Sequence, residues 1–117
     1  MTTITDIALD QKSRMLSLSF DDGRTTDLSC EYLRVHSPSA EVRGHGPGQE
    51  VLQTGKENVN IVAIEPVGNY AVRLVFSDEH DTGLYAWDFL IELAENKETY
   101  WQAYLARLDE AGYQRKV

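Results

Sequence analysis

The sequence predicts a small α+β domain, with an antiparallel or mixed β-sheet, short helices, and a C-terminal helix packed on the sheet. Three observations carry that prediction. Leu16, Leu18 and Phe20, and again Val72, Leu74 and Phe76, alternate with their neighbours at the period of two expected of half-buried strands. Asp22-Gly23 and Gly68-Asn69 punctuate these runs as hairpin turns, since glycine accepts positive φ at little cost. Near the C-terminus, Trp101, Tyr104, Leu105, Leu108 and Ala111 fall on one stripe of a helix.

The elements follow in order. Residues 4–10 and 14–20 read as two strands joined by the polar turn Asp10-Gln11-Lys12-Ser13, and a third strand covers Arg24–Leu28. Ser29 is placed to cap a short helical turn holding Glu31, Tyr32 and Leu33. Order returns at Asn60, with Ile61, Val62, Ile64 and Val67 leading to the Gly68-Asn69 turn and the Val72–Phe76 run. A strand over Thr82–Trp87 follows the polar turn 77–81. Asp88 can cap a helix through Leu93, and Asn96 a longer one ending at Gly112. Trp87 and Trp101 are expected to help enclose the core.

Residues 36–58 read as a long loop. Arg43-Gly44-His45-Gly46-Pro47-Gly48 alternates glycines, so fixing its backbone is entropically costly. Loops of this length are commonly functional or mobile. Arg34, His36, Arg43, His45 and Lys56 make the region a candidate interaction loop, with positive charge on an otherwise acidic chain. The glycines and cations also allow an anion nest, although neither a P-loop nor a dinucleotide fingerprint is present.

At 117 residues the chain has the size of one domain, 1–117, able to bury a core without a metal or disulfide staple. Cys30 is the only cysteine, the N-terminus reads unlike a secretory signal, and no apolar run approaches the ~20 residues of a bilayer span. These features predict a cytoplasmic protein that does not enter membranes. The net charge of −8 disfavours nucleic acid and anionic surfaces at long range. Much of the acidity lies between Asp78 and Glu98, as a solvated face or a surface for a basic partner.

The chemistry-bearing residues form no complete motif. His36, His45 and His80 are spread along the chain, without the close spacing of a helical metal clamp. Ser37 and Ser39 lie near His36, and His80 is flanked by Glu79 and Asp81, but no nucleophile elbow presents either serine.

Three segments carry a family resemblance: Glu31–His45, Ile64–Tyr70 (Ile-Glu-Pro-Val-Gly-Asn-Tyr) and Asp78–Trp87 (Asp-Glu-His-Asp-Thr-Gly-Leu-Tyr-Ala-Trp). In this order they resemble the gamma-butyrobetaine hydroxylase-like N-terminal domain family, long labelled a domain of unknown function. The resemblance implies a stand-alone bacterial relative of a domain that also precedes 2-oxoglutarate/iron dioxygenases and is joined to iron–sulfur P-loop ATPases. It implies no hydroxylase activity, because the catalytic β-helix of the dioxygenases lies outside the matching region. The hydroxylases' zinc site, three cysteines and a histidine, maps onto Ser37, Ser39, Val42 and His80. Only His80 keeps a zinc donor, and no resident cofactor is expected. Hydrogen bonding between Ser37 or Ser39 and the His80 turn is the expected replacement for the metal.

The reading that follows is a non-catalytic accessory or interaction domain with a protein partner, which the resemblance associates with iron–sulfur or 2-oxoglutarate oxygenase systems. The alternative is a metal-binding protein or metal-dependent enzyme using His80, Asp78, Asp81 and loop histidines with zinc or another metal.

Overall fold

In a computed structural model, which describes residues 3–44 and 48–116, the strands form two antiparallel sheets. The first has the order β1 (Ile4–Asp10), β2 (Met15–Phe20), β3 (Thr25–Ser29); the second has β4 (Ile61–Val67), β5 (Ala71–Phe76), β6 (Leu84–Ala86). Between them run α1 (Cys30–Val35) and α2 (Ala40–Arg43), and the chain closes with α3 (Trp87–Glu95) and α4 (Lys97–Glu110). The predicted α+β class is the observed one, with two sheets where the sequence suggested one.

Turn chemistry sets the register. Gly23 has φ +87°, and Gly68, at φ +56°, opens a turn that also takes in Tyr70 before Val67 pairs with Ala71. The alternating residues then converge. Leu16, Leu18 and Leu28 from one sheet meet Ile61, Val72, Leu74, Phe76 and Tyr85 from the other, with Leu33 of α1 and Leu90 and Leu93 of α3 in the same core. Burying a leucine of this kind contributes about 1.5–3 kcal/mol. Two tyrosine hydroxyls tie the layers together: Tyr32 donates to Leu93 O (2.7 Å) and Tyr85 to Leu33 O (2.6 Å). Each satisfies a phenol that burial would otherwise leave without water.

Ser29 caps α1, its hydroxyl accepting from Tyr32 N at 3.0 Å. Asp88 does not cap α3. Strand β6 runs straight into the helix, which puts Ala86 at the N-cap and Asp88 in the first turn, where its charge suits the helix dipole. The C-terminal stripe divides its contacts. Tyr104 and Leu108 pack on Val35, with Leu52, Leu105 and Tyr113 around them, while Trp101 also reaches the main core. Trp87 and Trp101 border the core and stay partly exposed: Trp87 Nε1 donates to Asn69 O, and Arg115 lies over the Trp101 ring.

The expected 36–58 loop is interrupted by α2 and fastened to the body. Val51 N donates to Val42 O (2.8 Å), Tyr104 Oη to Gln53 O (2.6 Å), and Gly55 N to Tyr113 Oη (3.0 Å). Gly44 is required where the chain leaves α2: its φ is +74°, and a Cβ there would lie 2.0 Å from Gln49 O. His45 lies outside the described residues. Among the described residues, no helix is long and apolar enough to cross a membrane.

Candidate functional site

The β5–β6 turn, 77–83, is the hub of the candidate site. Asp78 Oδ1 accepts from His80 N (3.3 Å), and Glu79 takes up φ +70° to turn the chain. Asp78 Oδ2 then receives two cations, Arg34 Nε at 2.9 Å from α1 and Lys56 Nζ at 2.8 Å from the loop. Arg34 is enclosed, its side chain 8% exposed, and also donates to Gln53 Oε1 at 3.1 Å. Burial works to raise the Asp78 pKa, but the Lys56 bond and the Arg34 charge outweigh it and hold the carboxyl below its ordinary value. Arg34 and Lys56, read from the sequence as interaction-loop cations, thus direct their charge inward to Asp78.

Below this ion cluster, His80 meets the α1–α2 connection. Ser37 Oγ lies 2.8 Å from His80 Nε2, and Ser39 N donates to Ser37 Oγ at 3.3 Å. Burial, reinforced by the Arg34 charge, lowers the His80 pKa, although Glu41 and Asp78 oppose the shift. The neutral ring and the Ser37 hydroxyl share one hydrogen bond through Nε2. Nδ1 stands 3.2 Å from Glu41 Oε2 but out of line for a hydrogen bond.

Ser37, His80 and Glu41 follow each other in the order of a serine-hydrolase triad. Ser37 is 0% exposed, however, so a substrate carbonyl cannot reach its oxygen. The packing is tight there: a Cβ on Gly83 would lie 2.4 Å from Ser37 Oγ. Serine and histidine serve here as a clip between two segments.

The same geometry tests the zinc set implied by the family resemblance. Two donors on one tetrahedral zinc stand about 3.3 Å apart or more. Ser37 and His80, at 2.8 Å, are bonded to each other instead. Ser39 Oγ is buried without a partner, but a neutral hydroxyl is a poor zinc donor, and the buried Val42 has none. The residues do not fit a tetrahedral zinc. Among the described residues, no group of three or more His, Cys, Asp or Glu is placed to hold a metal ion. Cys30 lies apart in the core, where burial pushes its thiol pKa up.

Beside the clip opens a cavity of about 210 Å³ between the α1–α2 segment and the α3–α4 pair, lined by His36, Val42, Arg43, Val51, Phe89 and Arg107 among others. His36 Nδ1 contacts Tyr32 O at 2.8 Å; a carbonyl only accepts, so the proton resides on Nδ1 and Nε2 keeps its lone pair. Burial lowers the His36 pKa, the Tyr32 carbonyl opposes that shift, and Arg107 adds to it. The ring stacks on Tyr100, with centroids 5.9 Å apart. Arg43 lies over the Phe89 ring, 4.9 Å from its centroid.

The fold thus brings Ser37, Ser39 and His80 together, with Val42 on the adjoining cavity wall, and separates His36 and Arg43 from Arg34 and Lys56. Sequence reasoning missed Asp78 as the acceptor of both cations, and Phe89, Tyr100 and Arg107 as cavity walls. The i, i+4, i+7 spacing of Tyr100, Tyr104 and Arg107 is the signal that marks a second helical face.

Two three-stranded sheets packed by short helices define the class, a small α+β domain in which a serine–histidine bond ties the α1–α2 connection to the β5–β6 turn. The chain belongs to the family described as gamma-butyrobetaine hydroxylase-like, N-terminal, whose model matches residues 7–91. It is similar to two proteins with NMR solution structures. One is 57% identical, with a TM-score of 0.81, covering 98% of this chain and 86% of the other. The second is 49% identical, with a TM-score of 0.85, covering 99% and 91%. A crystal structure of a protein of unknown function from Acidithiobacillus ferrooxidans is 37% identical, with a TM-score of 0.65, covering 79% and 92%. No curated protein matches the chain.

Proposed function

We propose that this chain is a non-catalytic interaction domain that meets a protein partner through the face between α1–α2 and α3–α4. One observation carries the reading: the groups capable of nucleophilic or ligating chemistry close on one another below the surface, while His36 and Arg43 open into a cavity. Family analogy supplies the setting, an iron–sulfur or 2-oxoglutarate oxygenase system in which the partner holds the reactive centre. With Cys30 as its lone, buried thiol, the chain would contribute contacts to such a centre rather than a ligand set.

The second reading is metal binding at His80. The observation in its favour is that Ser39 Oγ and His80 Nδ1 are buried without hydrogen-bond partners, Nδ1 lying 3.2 Å from Glu41 Oε2. Affinity capture from native lysate, paired with metal analysis of untagged protein, separates the two. The interaction reading expects a stoichiometric partner retained by the intact chain, lost with His36→Ala or Arg43→Ala, and kept with Val62→Ser on the far sheet. Near-stoichiometric metal that disappears with His80→Ala, with no partner affected by the cavity variants, would overturn it.

A further inference from the structure

Four arginines of this chain are matched internally. Arg24 holds Asp22, Arg34 holds Asp78, Arg73 holds Glu65 and Asp81, and Arg115 holds Glu31. Among the described residues, Arg43 and Arg107 make no ion pair, and both line the cavity beside His36. A third arginine without an ion pair, Arg14, lies away in the β1–β2 turn. On a protein of net charge −8, two unmatched guanidiniums in one concavity stand out from their surroundings.

The lining has a definite polarity. Phe89 supports the Arg43 guanidinium from one face, which leaves its edge N–H groups for an acceptor. His36, with its proton fixed on Nδ1 by Tyr32 O, presents an acceptor at Nε2 that has no hydrogen-bond partner among the described residues. Val42 and Val51 give an apolar wall, and Val51 is 52% exposed. The cavity, at about 210 Å³, is smaller than the roughly 300–1,000 Å³ of drug-sized ligand sites. It shares His36, Tyr100 and Arg107 with a second hollow of about 220 Å³, so two adjoining hollows make up the groove at His36. An elongated groove of side-chain-sized hollows suits an extended peptide better than a compact small molecule.

We propose that this groove receives a peptide segment of a partner protein bearing one acidic side chain beside an apolar one, the carboxylate engaging Arg43 or Arg107 and a backbone N–H meeting His36 Nε2. The inference rests on the interaction reading above and names the chemistry of its partner. Glu50 and Glu92 also line the groove, Glu92 Oε2 accepting from Tyr100 Oη at 2.7 Å. They repel a second carboxylate, so the recognised segment carries a single acidic residue and not an acidic run.

The test is an amide-resolved NMR titration of the full chain with acetyl-Leu-Glu-amide and its neutral counterpart acetyl-Leu-Gln-amide. The Glu peptide is expected to bind roughly fivefold more tightly, the size of one partly exposed charge pair. Its shifts should centre on Val35, His36, Arg43 and Arg107. Arg43→Gln and Arg107→Gln, both at exposed positions and checked for native spectra, should together abolish the preference, while Arg14→Gln should keep it. Equal binding of the two peptides, shifts centred outside the groove, or no binding of either would overturn the proposal. A lysate partner still lost with His36→Ala would then leave the interaction reading standing. Selective peptide binding without any such partner would instead remove the interaction reading and leave the chemistry of the groove.

Discussion

Ser37 Oγ and His80 Nε2 lie 2.8 Å apart although 43 positions separate them in the chain. Their bond joins the α1–α2 connection to the β5–β6 turn at a place where both partners are buried. It restrains the two segments through a hydroxyl and a neutral imidazole.

Thiols at the positions marked by the family resemblance should create a zinc site. Ser37→Cys, Ser39→Cys and Val42→Cys together, with His80, supply a three-cysteine, one-histidine donor set. One zinc per chain is expected, with a rise in Tm that chelation reverses. Adding His80→Ala should reduce the stoichiometry well below one. Failure of the triple variant to take up zinc would show that the four side chains do not point to a common centre.

Gly83→Ala should open the clip. The added methyl would meet Ser37 Oγ at 2.4 Å, and Pro38 and the Tyr85 ring, each at 3.2 Å, close the other directions. A cost of about 1–3 kcal/mol is expected from overpacking, read by reversible urea unfolding. A change below ~0.5 kcal/mol would mean the segment moves aside freely, contrary to the packing described.

Asp78→Asn leaves Arg34 enclosed without a counter-charge and frees Lys56 to solvent. Because Asp78 itself is partly exposed, the expected loss is about 1–3 kcal/mol, below that of a fully buried pair. The same substitution should speed amide exchange around Gln53 and Lys56, since both are tied to the cluster through side chains. An unchanged unfolding midpoint would exclude the cluster as a support for the loop.

Both described histidines have pKa values below the ordinary 6.5, through burial first in each case. The unfolded chain then binds more protons than the folded one between those depressed values and 6.5. The stability they contribute is complete above about pH 6.5 and is lost as pH falls through the folded values. NMR titration of the imidazole protons should give both midpoints below 6.5, His80 responding to Glu41→Gln with a further fall. A midpoint above 6.5 for either ring would contradict its environment.

Local sequence determined the elements, because their signals are periodic and short-range. Leu16-Leu18-Phe20 and Val72-Leu74-Phe76 place alternate side chains on one face; Gly23 and Gly68 supply the turn conformations; Ser29 caps α1. The pairing of Ser37 with the His80 turn was legible too, as the hydrogen bond expected between the two segments. Tertiary structure alone decided how charge was used. Asp78 takes Arg34 from 44 positions away and Lys56 from 22, so two cations that read as outward contacts are internal, whereas Arg43 of α2 and Arg107 of α4 line one cavity. The physical reason is range: φ, capping and periodicity act over a few residues, while an ion pair or a cavity depends on which distant segments the packed core brings within a few ångströms.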